Sequence, residues 1–244
     1  MTESTERVVY RQSRFARPPG ATELLVIRHG ESAPADPDHP FALVDGQGDP
    51  ELAPQGRDQA ELLGERLAAE PIAAIYVSKL RRTSETAAPL AARLGLEPVL
   101  DPDIHEVHLG DWEGGLFRRY AAEGHPAYVR MHDEQRWDAI PGAEDRDVFR
   151  TRVMRGFTRI ADAHPDEQVA VVVHGGVIGA LLSMVTGAGD FAFNGADNAS
   201  IHHVVRMPAA PGEPGRRTER WTVRRFNDTN HLRSHFTTAA EYLT

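Results

Sequence analysis

The sequence predicts an α/β fold, with a mostly parallel sheet covered by helices on both faces. Three observations carry this. Short apolar runs, LLVIRH at 24–29, AAIYVS at 73–78 and VAVVV at 169–173, have the length and apolar continuity of buried parallel strands. Segments with apolar residues at helical spacing follow them. Strands that alternate with helices pair in parallel through crossover connections. A chain of 244 residues, 41% hydrophobic and 26% charged, suits one such domain with a substantial core.

Taken in order, residues 1–20 are polar, dotted with Arg7, Arg11, Arg14 and Arg17, and punctuated by Pro18-Pro19-Gly20. They read as a loosely packed tail ahead of a single domain over 21–244, and they lack the apolar stretch of a secretory signal. The first strand ends at Gly30. Residues 56–69 then place Ala60, Leu63 and Leu67 on one helical face. After the second strand, Ser78 is the expected N-cap of a helix running through Leu94 and closed by Gly95. Over 145–163, Phe149, Val153, Phe157 and Ile160 form an apolar stripe opposite an arginine-rich face. The apolar stretch 169–187 imitates a membrane span, but it contains His174 and Gly175-Gly176. It reads as a strand (169–173), a turn (174–176) and a helix (177–186). Two β-rich stretches, 200–207 and 220–226, follow, joined by PAAPGEPGRR. Residues 31–53 and 101–144 fit neither periodicity. Both follow strand ends, where open α/β sheets bind their ligands, so the pocket is expected between them.

Composition removes several chemistries. With 27 basic against 36 acidic residues the net charge is −9, which argues against nucleic acid or an anionic membrane as partner. The absence of cysteine excludes disulfides, thiolate zinc sites and thiol nucleophiles. A cytoplasmic protein acting on a small molecule is expected, and nothing in the chain specifies an oligomeric state.

Two strands deliver Arg28-His29-Gly30 and His174-Gly175-Gly176 into the loops at their C-terminal ends. A third ends in Ser78-Lys79-Leu80-Arg81-Arg82, at the start of a helix whose free N–H groups suit an anion. Convergence of Arg28, Arg82, His29 and His174 would hold a phosphate-like oxyanion, and the glycines would let a ligand approach the backbone. His105, His108, His202 and His203 show no metal-ligand spacing, so no metal and no cofactor is expected. Arg216, Arg217, Arg220, Arg224 and Arg225 read as a solvated hairpin. Phe117, Tyr120, Tyr128, Trp137, Phe191 and Phe193 are packing residues or pocket lining.

LLVIRHGES (24–32), VSKLRRTSETA (77–87), HEVHLGDWEGG (105–115) and VVVHGGVIG (171–179) together resemble the successive motifs of the histidine phosphatase, or phosphoglycerate mutase-like, superfamily. Weaker matches lie at 52–68, 141–145 and 198–204, so the resemblance spans roughly 22 to 207 in order. It implies a three-layer α/β/α sandwich with a mainly parallel central sheet. By position it makes His29 the nucleophile that takes the phosphoryl group, gives Arg28, Arg82 and His174 the task of gripping its oxygens, and makes Glu106 the proton donor. Asp111 and Glu113 are then structural.

The chemistry agrees with that division. Phosphoryl transfer needs in-line placement and neutralisation of three equatorial oxygens, which two guanidiniums and an imidazolium can supply. A nucleophilic histidine must be neutral, and a donor carboxyl needs a raised pKa, which burial by the Trp112 loop would supply. Mutases of this family follow Arg-His-Gly-Glu with a Trp-Asn pair and a basic segment. Here Ser32-Ala33-Pro34-Ala35-Asp36 follows instead, which favours metal-independent hydrolysis of a phosphomonoester through a phosphohistidine. The alternatives are a mutase-type phosphoryl transferase and a catalytically idle phospho-ligand binding module.

Overall fold

A computed structural model describes residues 12, 14–210, 212 and 218–232. Its centre is a six-stranded sheet of β1 (Thr22–Arg28), β4 (Ile72–Val77), β5 (Val99–Leu100), β6 (Gln168–Val173), β7 (Ile201–Met207) and β8 (Arg220–Asp228), in the order β5-β4-β6-β1-β7-β8. Strands β5, β4, β6 and β1 are parallel, while β7 pairs antiparallel with both β1 and β8. The sheet is therefore mainly parallel, with one reversed strand near one edge.

Period-two alternation sorts the two cores. Leu24, Val26, Val169, Val171 and Val173 face one layer, built on helices α5 (Arg146–Ala163) and α6 (Gly175–Thr186). Leu25, Ile27, Ala170 and Val172 face the other, on α1 (Pro54–Leu67) and α2 (Arg81–Leu94). Every residue of β6 is buried, as a central strand covered on both faces requires. The result is a three-layer α/β/α sandwich. Each fully buried Leu, Ile or Phe in these layers contributes about 1.5–3 kcal/mol.

Several sequence expectations need correction. Ser78 is not a helix cap: α2 starts at Arg81 with Leu80 in the capping position and no side-chain cap. Gly95 does close it, in a left-handed conformation with φ 67°. Residues 174–176 form no separate turn, because α6 begins at Gly175 directly after His174. The region 101–144 is not simply a loop. It holds α3 (Leu116–Glu123) and α4 (Pro126–Glu134), short helices whose apolar residues pack around Trp112, Met131 and Ile140 in a satellite core. Within 31–53, β2 (Leu43–Val44) and β3 (Gln47–Gly48) make a small hairpin.

Most of the expected 1–20 tail lies outside the described residues, as do Arg216 and Arg217. Of the described part, Phe15 meets the edge of His203 and lies under Arg224, and Arg17 pairs with Glu23. No helix among the described residues is long and apolar enough to cross a membrane.

Candidate active site

Strand register builds the floor of the site. β1 and β6 are parallel neighbours with Arg28 opposite Val173, so His29 and His174, one residue on, must stand side by side. Adjacent strands lie about 4.8 Å apart. The two imidazole centroids are accordingly 5.2 Å apart, at 61°. The His29 N–H donates to Val173 O, and its carbonyl accepts from the Asn198 side chain, so its backbone is pinned on both sides.

The next strand repeats the logic. β4 pairs with β6 with Val77 opposite Val172, which brings Ser78 beside the end of β6. There the Ser78 hydroxyl lies 2.8 Å from His174 Nε2 and accepts from the Leu80 N–H. His174 is fully buried, and its Nδ1 has no hydrogen-bond partner. The chain then turns into α2 and delivers Arg82, 8% exposed, into the cavity wall with one N–H on Gly48 O. Arg81 points elsewhere, onto Asp49 at the surface. Arg28 lines the cavity and donates to Ala196 O.

His29 Nδ1 is 2.7 Å from Gly30 O. A carbonyl only accepts, so Nδ1 carries the proton and Nε2 the lone pair. Burial, reinforced by Arg82 and Arg28, holds the His29 pKa well below the ordinary 6.5. Burial does the same to His174, followed by Arg82 and His29. The imidazolium expected at position 174 is therefore a neutral imidazole in the free pocket, because burial and the nearby arginines disfavour a further positive charge. Arg82 itself is brought down to about 10 by burial, and it stays cationic at neutral pH.

Glu106 reaches the same cavity from the loop before α3. Its carboxyl oxygens accept from the Val107 and Gly176 N–H groups at 2.9 and 3.2 Å. Burial nevertheless raises its pKa, against the opposing pull of those hydrogen bonds and of Arg82 and Arg28. A carboxyl poised to hold a proton thus stands in one cavity with a neutral imidazole and two guanidiniums.

Glycines serve the protein's own packing here. A Cβ on Gly176 would sit 2.6 Å from Glu106 Oε1, and one on Gly30 would sit 2.6 Å from Gly56 O in α1. Of Gly30, Gly175 and Gly176, all expected to let a ligand approach the backbone, only Gly175 and Gly176 line the cavity.

The histidine phosphatase superfamily (branch 1) matches residues 24–229. The chain belongs to this superfamily. It is 33% identical over 214 residues to phosphoglycerate mutase-like protein 4 of Arabidopsis thaliana, covering 86% of each chain. It is also 33% identical over 218 residues to a metal-independent phosphoserine phosphatase from the same plant, covering 87% of this chain and 84% of that one. The solved structure of a mycobacterial glucosyl-3-phosphoglycerate phosphatase aligns with a TM-score of 0.68 at 29% identity, over 85% of this chain and 99% of that one. The enzyme class is phosphatase.

Sequence reading overlooked several residues of this cavity. Gln47 lines the cavity, is 2% exposed and donates to Glu106 O. Arg118 also lines it, donating to Ala33 O and the Ser32 hydroxyl, with its guanidinium 5.4 Å from the Phe41 ring centroid. Arg152 belongs to the arginine-rich face of α5, yet it is 6% exposed. It donates to the carbonyls of Asp103, His105 and Glu106 and pairs with Glu144, which fixes the loop that carries Glu106. Of the rival carboxylates, Asp111 is exposed, while Glu113 accepts from the Leu109 and Gly48 N–H groups at the cavity wall. Among the described residues no His, Cys, Asp or Glu group is arranged to hold a metal ion. His108 accepts from Gly110 N, His202 lies between Ser200 and Asn227, and His203 pairs with Glu23.

Proposed function

We propose that the protein hydrolyses a phosphomonoester without a metal, through a phosphohistidine on His29, within one domain spanning 21–244. Arg28, Arg82 and His174 hold the phosphoryl oxygens. The Nε2 lone pair of His29 attacks phosphorus as the ester P–O bond breaks, and Glu106 gives its proton to the departing alkoxide. Glu106, now a carboxylate, takes a proton from water, whose oxygen attacks phosphorus. The P–N bond breaks, inorganic phosphate leaves, and both groups return to their starting states. Guanidiniums carry the charge neutralisation that other phosphoryl-transfer enzymes assign to Mg²⁺.

The observation that carries this reading is the bond from His29 Nδ1 to Gly30 O, which reserves Nε2 as a nucleophile in the cavity that Glu106 also lines. A binding module needs neither feature. The small phosphorylated substrate requires no nucleic acid or membrane, and the proposed setting is cytoplasmic.

His29→Ala tests it. Hydrolysis of p-nitrophenyl phosphate in excess EDTA should fall at least roughly a thousandfold, the order seen when a covalent nucleophile is removed. The unchanged protein, quenched in acid-free denaturant after mixing with ³²P-labelled substrate, should carry acid-labile label that the variant lacks. A variant that keeps more than a tenth of the activity contradicts the assignment.

A further inference from the structure

Two chambers meet at His29. One chamber is lined by Leu80, Leu109, Phe117, Met131 and Trp137. A second groove runs past Glu31, Ser32, Pro34, Asp36, Pro37 and Arg119. Both open onto Arg28, His29 and Arg118, with Glu113, Gly114 and Gly115 on the ridge between them. Arg82 and Glu106 line the first chamber and not the groove.

In-line transfer places the leaving oxygen opposite the attacking nitrogen, and a general acid must lie within hydrogen-bond reach of that oxygen. The alcohol therefore departs into the chamber that holds Glu106. That chamber is built of aromatic walls held by ring contacts: Phe117 lies 5.9 Å from Trp137 and 6.2 Å from Trp112, centroid to centroid. Phe117 and Trp137 are only half-buried by the protein, which leaves ring surface for a ligand.

Among the described residues, the cations of this chamber are already engaged. Arg28 and Arg82 serve the phosphoryl group, and Arg118 is anchored to Ala33 O and Ser32 at the ridge. His132 also lines the chamber, but burial lowers its pKa, so it is neutral at pH 7. Glu113 on the ridge adds a carboxyl that would repel another.

We infer that the substrates are phosphate monoesters of alcohols with a bulky apolar or aromatic group and no carboxylate, the ring lying between Phe117, Trp137 and Leu80. This deepens the phosphatase reading and rests on it. It also separates this chain from relatives named for phosphoserine or phosphoglycerate compounds.

The test compares kcat/KM for ethyl phosphate, 2-phenylethyl phosphate, O-phosphoserine and 3-phosphoglycerate, all esters of primary alcohols. Burying the phenyl ring should favour 2-phenylethyl phosphate over ethyl phosphate by roughly ten- to a hundredfold, with the two acidic substrates slowest. In Phe117→Ala the preference for phenylethyl over ethyl should drop toward parity. This ratio is independent of the folded fraction, so partial misfolding does not mimic the result. Phosphoserine or 3-phosphoglycerate at or above 2-phenylethyl phosphate overturns the inference and leaves the phosphatase reading standing, as does an unchanged ratio in the variant. Hydrolysis of none of the four overturns the phosphatase reading itself.

Discussion

His29 and His174 stand at the ends of two hydrogen-bonded strands, whereas Glu106 stands on a loop that side chains hold in place. The strand ends are positioned by register: Arg28 opposite Val173 leaves the two imidazoles nowhere else to go. The loop is positioned by Arg152 reaching three of its carbonyls and by Gln47 sharing one of them. In the proposed mechanism the floor grips a phosphoryl group common to every monoester. The wall meets the part that differs between them. Damage to the floor should slow all substrates alike, and damage to the wall should depend on the leaving group.

Glu106→Gln should separate the two regions most widely. General acid catalysis typically contributes 10²–10⁴-fold, so hydrolysis of an alkyl phosphate should fall by about that factor. p-Nitrophenyl phosphate, whose leaving group needs little protonation, should lose far less. The pH profile sharpens the point. His29 works when neutral, and its lowered pKa places the acid flank of kcat/KM below 6.5. Glu106 works when protonated, and its raised pKa places the alkaline flank above the ordinary 4.5. The unchanged enzyme should show a bell on alkyl phosphates, and the variant should lose the alkaline flank. Substrate ionisation is the same for both proteins, so the difference between profiles belongs to Glu106. Equal losses on both esters, with the flank retained, would remove it from the donor role.

The same contrast explains what the sequence made legible. β1, β4 and β6 announce themselves as apolar runs, and the residues just past their ends fall on the binding edge of any parallel sheet, so the floor could be read without coordinates. The wall could not. Arg152, Arg155 and Arg159 recur at helical spacing on α5 and look like a solvated stripe, yet Arg155 and Arg159 bind Asp103 and Asp101, and Arg152 reaches the carbonyls of Asp103, His105 and Glu106, partners far away in sequence. Ser78 carries the residue type of a cap but serves His174, a contact that depends on strand order. The helices α3 and α4 span 8 and 9 residues, too short to display more than about two turns of periodicity. Gln47 sits in a polar hairpin with no pattern at all.

Gly176→Ala probes the joint between floor and wall. Its methyl would press on Glu106 Oε1 and displace the carboxyl without touching the phosphoryl grip. Alkyl phosphate hydrolysis should fall about tenfold, since small misplacements of a catalytic group carry costs of that order or more. Inhibition by inorganic phosphate should change little. A large rise in the phosphate inhibition constant would mean that α6 itself had shifted and that floor and wall are one unit.

Ser78→Ala should give the smallest change in activity, and it should be blind to the leaving group. A neutral imidazole has one N–H, and a phosphate oxygen needs it on the nitrogen left unpaired by the protein, Nδ1 of His174. A Ser78 hydroxyl that donates to Nε2 favours that tautomer. Alanine removes the preference and leaves Nε2 buried without a partner. One hydrogen bond of this kind is worth about 0.5–1.5 kcal/mol, so kcat/KM should fall roughly two- to tenfold, equally for alkyl and p-nitrophenyl phosphate. Stability should also drop, because an unsatisfied buried nitrogen costs about 1–3 kcal/mol. For a chain of this size each kcal/mol lowers Tm by about 2–4 °C. A leaving-group-dependent loss would place His174 in the proton transfer, and it would erase the distinction between a floor that holds and a wall that reacts.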